Sequence, residues 1–147
     1  MRLTRFTKYS LRVLIYLGQN TDSRVTIHQI SEAYDISKNH LMKVVSNLAR
    51  CKFVAAQRGP GGGIKLNRPA GEINLSEVIS ATEKDLQELD TSRQPDITQQ
   101  DPDTRLGSYL QHALLAYLQV LERFTLADIL EPKAELDQLL GLSKKAA

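Results

Sequence analysis

The chain has no tryptophan and a single cysteine, Cys51, among its 147 residues. One thiol cannot build an internal disulfide framework, and it cannot supply a metal site that needs several thiolates from one chain. No run of eighteen apolar residues occurs, so no segment has the length to span a bilayer as a helix. The N-terminus lacks both the apolar core and the cleavage site of a signal peptide, which points to a cytoplasmic protein. Catalytic constellations are lacking too. No paired carboxylates sit in an apolar setting, and no Ser/His/Asp or Cys/His arrangement has a structural rationale. A glycine-rich stretch is present, but no Gly-Lys-Ser/Thr follows it, as a phosphate-binding loop would need. An enzyme is therefore not expected. What remains is a chain 41% apolar and long enough to bury a core, fitting one domain or one domain with an oligomerising appendage.

The most informative feature present is Arg58-Gly59-Pro60-Gly61-Gly62-Gly63-Ile64-Lys65-Leu66. Glycines this dense allow tight turns and close backbone approach, because no Cβ intervenes. Phe53, Val54 and Ala55 precede them and Ile64 and Leu66 follow, a pattern that predicts a β-hairpin with a glycine tip. Arg58 and Lys65 lie at its base. The net charge is only +2, yet it is segregated. Residues 1–71 carry 12 Lys+Arg against 3 Asp+Glu, whereas residues 72–147 carry 7 against 14. A basic half bearing a glycine-tipped arm has the electrostatic character of a polyanion binder.

Apolar spacing predicts a first helix over residues 7–17, with Phe6, Ser10, Val13, Leu14 and Leu17 on one face. Thr26-Ile27-His28-Gln29 fits a capping box at the start of a second helix, residues 27–34. Asp35-Ile36 makes a short turn, and Ser37 caps a third helix running to residue 51 with Leu41, Val44, Val45 and Leu48 facing the core. Helix, tight turn and a helix with a polar outer face form a helix-turn-helix signature, and a basic hairpin after it completes the outline of a winged helix. Lys38, Asn39, His40, Lys43, Asn47 and Arg50 project from the third helix. Asn39, Lys43, Asn47 and Arg50 fall four, four and three apart and share a stripe. Asn can bond an adenine edge, Lys can donate to guanine or phosphate, and residues near the start of such a helix, here Ser37, Lys38, Asn39 and His40, reach bases.

Asn74 with Glu77 marks another helix start, leading into a short helix through Val78, Ile79 and Ala81. Residues 84–103 are polar and aperiodic and are expected to form a long exposed loop. Its carboxylates, Asp96, Asp101 and Asp103, lack the spacing and partners of a metal site. The longest helix is expected over residues 104–123, about 30 Å in length. Leu110, Leu114, Tyr117, Leu121 and Phe124 form a coiled-coil-like seam suited to a second subunit, with packing inside one chain as the alternative. Thr125 caps a short helix over residues 126–130, and Pro132 begins a last one ending at Gly141, followed by a frayed tail.

These residues resemble the IscR/NsrR-type bacterial transcription regulators. The similarity covers nearly the whole chain: Leu3-Thr4-Arg5-Phe6-Thr7-Lys8-Tyr9, Ser37-Lys38-Asn39-His40-Leu41-Met42-Lys43, Arg58-Gly59 with Gly62-Gly63-Ile64, and Phe124-Thr125-Leu126-Ala127-Asp128-Ile129-Leu130, the last most like the NsrR branch. The resemblance implies a homodimeric winged-helix repressor, paired through the long helix and binding a partly palindromic operator. It also implies a point of departure. Cluster-bearing members carry three cysteines in the loop before the long helix, and residues 86–106 contain none. An acidic residue that can supply a further ligand is replaced by Lys8. An iron–sulfur cluster needs soft thiolates or imidazoles, so the family's cluster is expected to be absent and no metal is expected.

The expected fold is mainly α with a small β-hairpin: a winged helix-turn-helix domain over residues 1–81, a polar loop over 82–103, and a dimerisation helix with C-terminal helices over 104–147. The expected function is sequence-specific binding of double-stranded DNA by a homodimer through Ser37, Lys38, Asn39, His40, Lys43, Asn47, Arg58, Gly62, Gly63 and Lys65, with no membrane association. The alternative is a protein-interaction module that kept the winged-helix fold without reading DNA.

Overall fold

A computed structural model describes residues 2–87 and 101–131. The expected last helix, the tail after it, and the loop carboxylate Asp96 lie outside the described residues.

Helix α1 runs Arg5–Gln19, two residues longer at each end than the apolar spacing predicts. Thr4 is its N-cap and accepts from the Thr7 amide at 3.3 Å. Thr7, Ser10, Val13, Leu14 and Leu17 are buried along one face. Helix α2, Ile27–Tyr34, starts at the expected capping box: Thr26 accepts from the Gln29 amide, and the Gln29 side chain accepts from the Thr26 amide at 2.8 Å. Asp35, with φ 52°, ends α2 in the left-handed conformation. Ser31 Oγ then donates to the Ile36 carbonyl at 2.7 Å, which fixes the turn into α3, Lys38–Arg50. Leu41, Val44, Val45 and Leu48 of α3 are buried as the spacing predicts.

Strands β1, Val54–Gln57, and β2, Gly63–Leu66, pair antiparallel with Val54 opposite Leu66 and Gln57 opposite Gly63. A third segment holds this wing. Val25 pairs with Ile64 through reciprocal backbone bonds of 2.9 and 2.7 Å, so the wing is hydrogen-bonded to the chain just before α2. A 3-10 turn, Ala70–Glu72, leads to α4, Leu75–Thr82, capped by Asn74.

The structure departs from the expected long loop at its two ends, while its middle, residues 88–100, lies outside the described residues. Lys84–Gln87 is a short helix, α5, and Leu86 is buried against Ile79 and Leu118. One apolar residue in a four-residue helix leaves no periodicity to read. Helix α6 runs Pro102–Leu121 rather than from residue 104, because Asp101 is the N-cap, accepting from the Thr104 amide and hydroxyl at 2.9 and 2.8 Å. Thr125 begins α7, Leu126–Leu130, with Asp128 closing a capping box.

Two apolar clusters hold the elements. The larger joins α1, α2, α3, the wing and α4, and it also takes in Leu126, which is fully buried, with Leu130 packed against it. Asn74 bridges Thr125, and the Leu126 amide donates to the Ile73 carbonyl at 2.8 Å, so α7 returns to the N-terminal core. The smaller cluster, Ile79, Leu86 and Leu118 with Leu3, Leu114, Tyr117 and Leu121 around it, seats α6 on α4.

Candidate nucleic-acid interface

The core stripe of α3 leaves Lys38, Asn39, His40, Met42, Lys43, Ser46 and Arg50 exposed, with Asn47 half-buried. Asn39, Met42, Lys43, Ser46, Asn47 and Arg50 line a concavity of about 620 Å³. A second one, of about 580 Å³, is lined by Met42, Ser46 and Ala49 of α3, by Thr26 and Ile27, and by Ala56, Gln57, Arg58, Gly59, Gly62 and Gly63 of the wing. Met42 and Ser46 border both, so the two hollows lie side by side on one surface from Asn39 across to Arg58. Lys43, Arg50 and Arg58 bring positive charge to it, and among the described residues no Asp or Glu lines either part. A cationic trough bordered by a polar helix and a β-arm suits a duplex, whose phosphates reward cations and whose grooves admit a helix.

The expected site residues divide into three groups. Asn39, Lys43, Asn47, Arg58, Gly62 and Gly63 come together on this surface. Ser37, Lys38 and His40 stand at the exposed start of α3; Ser37 Oγ caps the helix by accepting from the His40 amide at 3.3 Å, and the His40 ring lies 6.1 Å from that of Tyr9. Lys65 lies apart, lining a separate depression with Thr21, Asn67, Arg68 and Ala70. Alternation along β2 causes this: Ile64 turns into the core and its neighbour Lys65 turns outward.

Three members of the surface also have structural duties. Asn47 Nδ2 donates to the Ala81 carbonyl at 3.3 Å while its Oδ1 accepts from Arg50 Nη2 at 2.7 Å, so the last turn of α3 is tied to the end of α4. The Gly62–Gly63 pair answers to sterics. A Cβ on Gly62 would lie 2.5 and 2.7 Å from the Gln57 and Gly59 carbonyl oxygens. A Cβ on Gly63, which has φ +142°, would lie 2.8 Å from the Val25 carbonyl oxygen. Met42, 51% exposed, and Ser46 are the exposed α3 members that sequence reasoning missed, and Thr26, Ile27, Ala49, Ala56, Gln57 and Gly59 are lining residues it also did not name for the site. The available signal was an apolar residue off the buried stripe of Leu41, Val44, Val45 and Leu48.

A second surface lies on α6. The expected seam is split by packing inside the chain: Leu114, Tyr117 and Leu121 rest against the Ile79–Leu86–Leu118 cluster, whereas Leu110 and Phe124 remain exposed. Leu106, Tyr109 and Val120 are also exposed, so the uncovered apolar face is rotated from the predicted seam.

Comparison with known proteins agrees with this geometry. Residues 3–132 match the Rrf2 family, described as iron-dependent transcriptional regulators. The chain is 40% identical over 146 residues to the HTH-type transcriptional regulator NsrR of Bacillus subtilis, covering 98% of this chain and all of that protein. It is 38% identical over 146 residues to NsrR of Oceanobacillus iheyensis, covering 98% of this chain and 99% of that protein. The fold is that of IscR from T. potens, at TM-score 0.69 and 20% identity over 100% of this chain and 94% of that one. It is likewise that of CymR, the global cysteine regulator of B. subtilis, at TM-score 0.67 and 20% identity over 88% of this chain and 96% of that one. A winged helix with a cationic α3–wing trough, matched along its length by these regulators, makes the chain a DNA-binding transcription regulator of the Rrf2 family.

Proposed function

We propose that the protein is a cytoplasmic homodimeric repressor that reads a partly palindromic operator and works without an iron–sulfur cluster. The observation that carries the DNA-reading part is the pair of adjoining hollows from Asn39 to Arg58, cationic and, among the described residues, free of acidic lining. Asn39, near the start of α3, would meet base edges, and Arg58 on the wing would meet backbone or minor groove. Homodimer formation is supported by α6, where Leu106, Tyr109, Leu110 and Val120 expose apolar surface that a second copy would cover. In such a two-fold dimer the two α3 helices would enter major grooves about 34–36 Å apart.

The cluster does not fit the donor set. The whole chain has one cysteine, and Cys51 is half-buried at the C-cap of α3, packed at the edge of the main core. Lys8 is exposed on α1 and cannot ligate iron as a cation. Protein purified without oxygen is expected to be colourless and to shift a fluorescent palindromic duplex as a dimer. A brown protein with cluster absorption would overturn the cluster-free reading, and a colourless protein that binds no duplex above background would overturn the repressor reading.

A further inference from the structure

A cavity of about 410 Å³ lies where the start of α1, the last turn of α3 and the end of α4 meet, and it shares Asn47 and Arg50 with the DNA-facing trough. Its acidic wall is Glu83, only 5% exposed. Glu83 Oε1 accepts from the Thr4 amide at 2.8 Å and the Thr4 hydroxyl at 3.2 Å. Among the described residues the ion pairs are His28–Glu32 and Arg68–Glu77, so this buried carboxylate has hydrogen-bond donors but no cation in ion-pair contact. Burying a carboxylate without opposite charge is costly. The C-terminal end of α4 points its partial negative charge at the same place. The N-terminus of α1, capped by Thr4, turns partial positive charge to the Glu83 carboxylate, so what Glu83 lacks is a cation in direct contact with it. The lining also holds two cations, Arg50 and Lys84, both exposed, while Phe6 supplies an apolar wall.

We propose that this cavity binds a small zwitterion of the α-amino-acid class, its ammonium on Glu83, its carboxylate on Arg50 and Lys84, and its side chain against Phe6. Occupancy draws Arg50 from the Asn47 side chain and loosens the tie between α3 and the Ala81 carbonyl. The cavity is thereby an effector site that alters how α3 meets DNA. This regulatory half rests on the DNA-reading function, whereas the binding half does not.

The test uses the full-length protein and the twenty proteinogenic amino acids singly at millimolar concentration, read by thermal shift and calorimetry without DNA. At least one is expected to raise Tm by about 2–8 °C. Its decarboxylated amine and its deaminated acid should each bind at least about tenfold more weakly. Glu83→Gln, which retains an acceptor for Thr4, should abolish binding, and Lys84→Ala, at an exposed position, should weaken it and serves if the first variant fails to fold. Binding by no amino acid, or binding unchanged in these variants, overturns the site. The same amino acid should change affinity for a fluorescent operator duplex at least about threefold in the wild type and not in Glu83→Gln; binding without that change overturns the regulatory half alone.

Discussion

Asparagine occurs twice on the outer stripe of α3, and the two residues have different work. Asn39 is exposed with its amide free to meet a base edge, whereas Asn47 is spent on Ala81 and Arg50. Asn39→Ala should therefore relax base preference, costing about 1–3 kcal/mol on the preferred duplex and little on others, as competition binding with single-base variants will report. Gly63 is constrained differently. With φ +142° and the Val25 carbonyl in the path of any Cβ, Gly63→Ala should destabilise the wing by about 1–3 kcal/mol. Denaturant unfolding measures that cost, and hydrogen exchange at Ile64 locates it. The base-facing duty expected of Asn39 came from its place on the third helix, but the structural duties of Asn47 and Gly63 were not legible. Nothing in a run of letters says that Asn47 meets a carbonyl thirty-four residues later, or that Met42 and Ser46 border two adjoining hollows.

Caps and glycines made most element boundaries legible. Thr26 with Gln29, Ser37, Asn74 and Thr125 each stop a helix from starting elsewhere, because each satisfies an orphan backbone donor. Asp101 does the same for α6, and there the apolar pattern alone pointed two residues too late. Hydrogen bonds from the Thr104 amide, and then its hydroxyl, hold the Asp101 carboxyl below the usual carboxylate range. A pKa depressed by folding stabilises above the unfolded value and loses that contribution as pH falls through the folded value. The stability gap between wild type and Asp101→Ala should accordingly be full near neutrality and close as pH drops below about 4, followed by thermal unfolding monitored through helical circular dichroism. Helix α5 and the return of α7 to the core were not legible. The first is too short to have a period, and the second depends on a long-range backbone bridge between Asn74 and Thr125.

On the scale of the whole molecule, charge and apolar surface are kept apart. The basic N-terminal half presents the trough, and α6 presents its uncovered apolar face, so DNA reading and subunit pairing need not compete for the same residues. The seam predicted from spacing was partly consumed inside the chain because Leu114, Tyr117 and Leu121 cover α4 and α5. Pairing should depend on the face left over. Leu110→Asp with Val120→Asp, at positions 63% and 53% exposed, should leave the fold intact and shift the protein to monomer in sedimentation equilibrium. Tight operator binding should fall with it, since each subunit would hold only one half-site. The central claim is that the trough between α3 and the wing grips the duplex through its cations, and it is tested most directly by the salt dependence of duplex affinity in wild type and in Lys43→Ala with Arg58→Ala. A steep wild-type fall in affinity with salt, and a log–log slope flatter by about two per subunit in the double variant, is the predicted result; equal slopes for the two proteins would contradict it.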